Sequence, residues 1–353
     1  MTDLRDAVLA ALGTVIDPDL HKDLVSLNMI RDLEIEGAQV SFRLVLTTAA
    51  CPVKEQLEQQ AKDAALGVDG VETVNVTMDH EVPQAVNKSD NLPGVKHVVA
   101  IASGKGGVGK STVTANLACA LAAAGNKVGI LDADIYGPSM PLMFGVRREP
   151  FVQNRKIIPL ENHGVKLISM GFLVEESAAM VWRGPMLQGA IRQFVTDVAW
   201  GELDYLLLDL PPGTGDMQMT LAQNAPIAGA VVVTTPQNIA LLDARRGVTM
   251  FEKLNVPIFG VVENMSVFVC PECGHAEPIF AEGGGKDYAE SAGLNFLGAI
   301  PLEPAVRSAG DSGQPVVLDR PESRSAVAFR QLAEQLAARI STVAFERSTD
   351  AAD

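Results

Sequence analysis

Apolar positions near the N-terminus switch from helical spacing to alternation and back. Leu4, Val8 and Leu12 share one face of a helix over residues 2–13, with Thr2 placed to cap it. After a turn at Asp17–Leu20, the runs Met29–Ile35 and Val40–Leu46 flank Gly37. In the second run Val40, Phe42, Leu44 and Leu46 alternate with other side chains, which predicts a hairpin. Pro52 suits the first turn of a helix ending near Leu66, and Val71–Met78 supplies a third strand. These elements predict a small α/β domain over residues 1–81, followed by a linker over 82–96 whose stretch Val82–Gly94 is polar, proline-bearing and aperiodic.

From His97 the pattern changes to near-continuous apolar runs alternating with helical segments. HVVAIAS, KVGILDAD, VKLISM, DYLLLDL, GAVVVTT, PIFGVVEN and NFLGAI read as parallel strands covered on both faces. Leu187, Ile191, Phe194 and Val198 keep helical spacing, and a last helix over Ser323–Val343 carries Leu332, Leu336 and Ile340 on one face. The fold class expected is α/β: a doubly wound, mostly parallel sheet over residues 97–345, with a frayed tail over 346–353. Gly283–Gly285 reads as a flexible loop, a candidate hinge.

A chain of 353 residues exceeds one ordinary core, in agreement with two domains. Its formal net charge of −15 argues against nucleic acid and anionic membrane as partners, since both need a basic footprint. No apolar run is long enough to span a bilayer, and the first residues lack the basic start of a signal peptide, so the expected location is the cytoplasm. Four cysteines in such a chain point to metal ligation or inertness rather than disulfides. Of the scattered histidines, only His275 has ligand spacing, beside a cysteine pair. VWRGPM, with Trp182 and Arg183, suits either partner contact or packing.

The chemistry is concentrated in GKGGVGKST. Gly104, Gly109, Lys110 and Ser111 satisfy the phosphate-loop spacing, and the motif follows an apolar strand and opens a helix that stops near Gly125. In such a loop Gly104, Lys105, Gly106, Gly107, Val108, Gly109, Lys110, Ser111 and Thr112 present backbone N–H groups to phosphate oxygens. Lys110 is expected to reach the β- and γ-phosphates, and the Ser111 hydroxyl to bind Mg²⁺. Asp209 ends an apolar strand before a Pro-Pro-Gly turn, where a carboxylate can hold Mg²⁺ directly or through water. Asp132 and Asp134 end another strand; one of them could orient the attacking water, or cap the next helix. Lys105 is a second lysine that the loop pattern does not require.

Cys270 and Cys273 form a C-x-x-C turn with Pro271 and Gly274 favouring a tight loop. Two thiolates at this spacing grip one metal ion or one edge of a cluster. Four ligands are completed most simply by a second copy of the chain across a two-fold axis, and that geometry admits zinc as readily as iron. A dithiol redox pair is disfavoured by the loop-like residues that follow. Cys119 lies among apolar residues of the loop helix and reads as core. Cys51 sits at a strand-to-helix turn, where the helix N-terminus could expose a reactive thiolate; a structural cysteine is the competing reading.

GKGGVGKST with its early lysine, DADIYGPS and DLPPGTGD resemble the deviant Walker A class of P-loop ATPases, which includes nitrogenase iron protein and the cell-division and plasmid-partition ATPases. With the C-x-x-C and the N-terminal domain, residues 1–345 resemble the Mrp/ApbC iron–sulfur carrier proteins. The N-terminal domain also resembles the assembly domain of iron–sulfur maturation factors, whose motif carries a cysteine at the position of Cys51. The resemblance implies that Lys105 crosses a homodimer interface to the partner's nucleotide, much as an arginine finger does. It implies that Asp134 positions the hydrolytic water, that Asp209 lies on the magnesium side, and that Asn264 binds adenine, although a structural turn residue also fits Asn264. It implies slow, Mg-dependent ATP hydrolysis and a [4Fe–4S] cluster bridging the dimer for delivery to apo iron–sulfur proteins, with cluster scaffolds as further partners. Rival readings are a positioning ATPase, which would need an amphipathic membrane tail or a basic face, and a zinc-bridged nucleotide-binding scaffold.

Overall fold

A computed structural model of the chain describes residues 4–84, 92–135, 137–173, 189, 193–215, 218–221 and 225–350. The chain divides into two compact units: Met1–Pro83 together with Ala337–Asp353, and Gln84–Leu336.

In the smaller unit the hairpin forms as the alternation requires. Strands β1 (Ile30–Glu36) and β2 (Gln39–Leu46) pair antiparallel around Gly37, whose φ of 63° suits a residue without Cβ. Strand β3 (Thr73–His80) joins β2 in parallel, with the helix Lys54–Leu66 as the crossover. Val40, Phe42 and Leu44 face inward with Leu57 and Ala61 of that helix and with Val8 and Leu12 of the first helix. On the other face of β2, Arg43 reaches Asp32 and Asp79, each at 2.8 Å. The turn after the first helix forms around Asp17, whose carboxylate accepts the N–H groups of Asp19 and Leu20. The proposed capping residue Thr2 lies outside the described residues.

The larger unit is built on a nine-stranded sheet. Its parallel strands are β4 (Val95–Ala102), β5 (Val128–Asp132), β6 (Val165–Ser169), β7 (Leu203–Asp209), β8 (Ile227–Thr234), β9 (Ile258–Val269) and β10 (Phe296–Leu302). Their spatial order is β6-β5-β7-β4-β8-β9-β10, with the short strands Leu160–Asn162 and Ala276–Glu277 pairing antiparallel to β6 and β9. All seven apolar runs of the sequence are therefore strands of one sheet. β5 and β7 are buried at every position, which is why their sequences do not alternate. Chain order reverses on either side of β4, so the loop after β4 lies at the switch point where such sheets bind ligands.

Parallel pairing lines up the C-terminal strand ends. Ser169, Asp132, Asp209 and Ile101 are successive register partners across β6, β5, β7 and β4. The helix Lys110–Ala123 covers this sheet, and Gly125, with a φ of 105°, follows its capping residue Ala124. Cys119 is fully buried inside it, and desolvation pushes its thiol up to about 12, as a core cysteine requires.

Three expectations meet a different arrangement. The last helix runs through Arg324–Asp350, past the point where polarity suggested fraying, and its residues from Ala337 onward group with the smaller unit. Phe345 packs there and takes the Lys22 ammonium 4.7 Å from its ring centroid. The apolar face of this helix keeps one period throughout, so nothing in the sequence marks the change of partner. The third concerns the glycine run 283–285, read as a hinge, which opens the helix Gly284–Ser291. Of the helical set around residue 190, Phe194 and Val198 are buried while Leu187 and Ile191 lie outside the described residues, as do Trp182 and Arg183.

Candidate functional site

The phosphate loop leaves β4 at Ala102 and becomes helical at Lys110. Two glycines are dictated by close approach. A Cβ on Gly104 would lie 2.0 Å from the Asp243 carbonyl oxygen, and one on Gly109 would lie 2.2 Å from Asn264 Nδ2. Gly107 and Gly109 also take φ of 81° and 80°, open to glycine at no steric cost. The Ser103 hydroxyl donates to the Lys105 carbonyl at 3.0 Å, fixing the backbone where the second lysine projects. Lys105 itself is exposed and makes no ion pair with any described residue.

Asp209, at the end of β7, organises the centre of the site. Lys110 Nζ lies 2.7 Å from Asp209 Oδ2, and both side chains are almost wholly buried. The Ser111 hydroxyl donates to the same oxygen at 2.6 Å, and the Thr114 hydroxyl donates to Oδ1 at 2.6 Å. Lysine, serine and carboxylate thus converge at the helix N-terminus, where anionic phosphate is favoured and where Ser111 and Asp209 supply hard oxygen donors suited to Mg²⁺. Thr114 was not singled out from the sequence. It lies one helical turn beyond Lys110, whose carbonyl its hydroxyl also contacts at 3.0 Å, and this spacing was the available signal.

Asp132 is fully buried beside Asp209 and accepts hydrogen bonds from Ser169 Oγ at 2.8 Å, Met140 N at 3.3 Å and Asp134 N at 3.2 Å. It anchors the loop that carries Asp134, whose own carboxylate accepts Gly137 N–H at 3.3 Å. Of the two aspartates that sequence left open, Asp132 is therefore tied into backbone and Ser169.

Burial and the neighbouring Asp209 carboxylate push the Asp132 carboxyl up to about 7. Its unfolded value is 3.8, so folding takes up a proton between 3.8 and about 7, and stability falls as pH rises through that window. Asp132→Asn, which cannot ionise, is expected to flatten the decline in melting temperature of the nucleotide-free protein between pH 5 and pH 8. The difference corresponds to a few kcal/mol at most, at roughly 1.4 kcal/mol per pH unit. The variant also loses an acceptor, so the slope rather than the absolute melting temperature is diagnostic. An unchanged slope would count against the buried titration.

Asn264, opposite Ile300 just before a register shift in β9, donates from Nδ2 to the Val108 carbonyl at 2.9 Å. In this structure the side chain ties strand to loop. Its neighbour Glu263, unnoticed in the sequence, is buried and accepts Gly285 N–H at 2.6 Å. Met265 then takes a φ of 56°, and β9 continues to Val269.

The cysteines occupy the tip of a hairpin at the far end of β9. Phe268 and Val269 pair with Glu277 and Ala276, and Cys270 N–H donates to the His275 carbonyl at 2.9 Å. Gly274, with a φ of 70°, closes the turn by donating to the Cys270 carbonyl at 2.9 Å. Backbone N–H groups of Cys273 and Glu272 and the Cys273 thiol donate to Cys270 sulfur, holding its thiol below the ordinary range. Cys273 is exposed, and the His275 ring faces Glu277 at 3.1 Å. Among the described residues no three His, Cys, Asp or Glu side chains are grouped to hold a metal, so these residues present a pair of thiols and not a closed site. The pair does not join the Lys110–Asp209 cluster; six positions of chain, with a register shift after Asn264 and a left-handed Met265, lead from Asn264 to Cys270. Cys51 is half-buried against the core of the smaller unit, ahead of a helix that begins only at Lys54.

A parallel sheet with this loop at its switch point, and a lysine and serine closing on a neighbouring strand's aspartate, defines a P-loop NTPase. A family model described as ParA, the NUBPL iron-transfer P-loop NTPases, matches residues 94–337, and one described as iron-sulfur cluster assembly protein matches residues 5–77. The chain belongs to this iron-transfer P-loop NTPase family, among the iron–sulfur cluster carriers. The iron-sulfur cluster carrier protein of Synechocystis is 49% identical over 96% of this chain and 98% of its own length. That of Deinococcus radiodurans is 51% identical over 96% of each chain. Among solved structures, a nucleotide-binding protein of Archaeoglobus fulgidus in complex with ADP is 40% identical, with a TM-score of 0.60 over 68% of this chain and 94% of that one. The Pyrococcus furiosus cell division ATPase MinD is 26% identical, with a TM-score of 0.51 over 68% and 97%. No helix among the described residues is long and apolar enough to cross a membrane.

Proposed function

We propose that the chain works as a homodimer that binds and slowly hydrolyses ATP and carries a [4Fe–4S] cluster, held by Cys270 and Cys273 of both copies, for delivery to apo-proteins. The observation that carries this reading is the half-complete thiol site at the tip of a strand whose base touches the phosphate loop. Backbone N–H donors hold the Cys270 thiol below its ordinary range, and Cys273 beside it is exposed at the turn, open to a second copy.

In the proposed reaction the glycine amides of the loop cradle the phosphates and Lys110 exchanges its contact with Asp209 for the β- and γ-phosphates. Mg²⁺, when bound by Ser111 and Asp209, neutralises phosphate charge. Asp134 orients the water that attacks the γ-phosphorus as the bond to the ADP oxygen breaks. Asn264 offers its carboxamide to the adenine edge, and Lys105 reaches the nucleotide of the other copy. Nucleotide state changes how the two copies close and hence their hold on the cluster.

The test is cluster transfer from anaerobically loaded protein to an apo acceptor, followed by visible absorption in the presence of ATP, ADP or neither. Transfer rates are expected to depend on the nucleotide, and the dependence to vanish in Lys110→Ala. Equal rates under all conditions would contradict the coupling.

A further inference from the structure

The segment that carries the cysteines is a loop tied at both ends to two adjacent residues of β9. Its outgoing leg, Met265–Val269, starts from Asn264, which donates to the Val108 carbonyl inside the phosphate loop. Its returning leg passes Ala276–Glu277 and ends in the glycine run 283–285. There the N–H groups of Gly285, at 2.6 Å, and of Gly283 donate to the buried Glu263 carboxylate. The glycines are fitted to this closure. A Cβ on Gly285 would lie 2.9 Å from Glu263 Cβ, one on Gly284 would lie 2.6 Å from the Pro236 carbonyl oxygen, and Gly283 takes a φ of 75°. The cysteine hairpin therefore cannot shift at its base without disturbing either the Glu263 contacts or the Asn264 contact with the phosphate loop.

We propose that Glu263 is a positioning residue that locks the base of the cysteine-bearing segment 265–282 to the nucleotide pocket, so that the pocket and the cluster site move as one body. This rests on the reading that nucleotide state alters the grip on the cluster, and it names the part of the chain that transmits the change. An acceptor at the reach of a glutamate side chain is the requirement. Glu263→Gln keeps an oxygen at that reach, whereas Glu263→Asp keeps the charge and is one methylene too short for the bond.

The experiment uses the full-length, cluster-loaded protein and measures the rate of iron loss to an iron(II) chelator with ATP or ADP bound. Wild type is expected to show a rate ratio between the two nucleotides of about fivefold or more, the lower range of allosteric coupling. Glu263→Asp is expected to bring the ratio close to one while ATP turnover and iron content change by less than about twofold, and Glu263→Gln to restore most of the ratio. A merely structural capping role would lower thermal stability and leave the ratio intact, and that result overturns the proposal. Should Glu263→Asp not fold, hydrogen exchange in wild type decides. The amides of residues 284–285 and of the hairpin 268–277 are expected to change protection together when ATP replaces ADP; change in only one of them overturns the lock. A wild-type ratio of one would defeat the coupling reading itself, whereas a ratio that survives Glu263→Asp defeats only the role of Glu263.

Discussion

Alanine in place of Cys270 or Cys273 is expected to reduce iron bound after anaerobic reconstitution from about four atoms per dimer to background, because a [4Fe–4S] cluster takes four thiolates. Each substitution removes two of the four thiolates that a pair of chains supplies. Cys273→Ala also removes the thiol that donates to Cys270 sulfur, although the backbone N–H at that position remains. No third ligand is grouped with them among the described residues, and His275 is engaged by Glu277. Basal ATP turnover is expected to stay within about threefold of wild type, because the pair does not join the Lys110–Asp209 cluster. Iron content near wild type in both variants, measured by colorimetric iron assay and visible spectrum, would place the cluster elsewhere.

Lys105→Ala is the second large effect. The side chain is exposed on a loop fixed by the Ser103 bond and pairs with no described carboxylate, in contrast to Lys110, which is buried against Asp209. A lysine that served its own nucleotide would have little reason to be held away from this cluster. Turnover is expected to fall at least a hundredfold, short of the 10³–10⁵ of an arginine finger, while binding of an ATP analogue weakens by less than about tenfold. Mixed with the hydrolysis-deficient Lys110→Ala chain, Lys105→Ala chains should regain part of the activity, because one site of the mixed dimer combines an intact Lys110 with the partner's Lys105. Phosphate-release kinetics decide between this and a solvated loop lysine, which would leave turnover unchanged.

Much of the fold was legible because parallel strands buried on both faces are written as unbroken apolar runs, and those from His97 to Ile300 all fall in one sheet. The phosphate loop was legible because glycine is demanded there by backbone approach, as Gly104 and Gly109 show. Contacts fixed by register were not legible. That Asp132 lies beside Asp209 and Ser169 depends on which strands are neighbours, and local sequence does not contain this. Glu263 sits inside an apolar strand where it reads as an interruption, and its partner is 22 positions away. The glycine run 283–285 suggested freedom, whereas in the fold the same lack of side chains permits tight closure. The change of partner along the last helix was invisible for a simpler reason: the residues on both sides of Ala337 are equally apolar on the buried face.

The most direct test of the dimer-bridged cluster is the mass of the anaerobically reconstituted protein by light scattering, with iron and sulfide counted on the same fractions. The account predicts a species of two chains holding about four iron and four sulfide. A single chain that carries the full cluster, or a dimer bridged by zinc without colour, would contradict it.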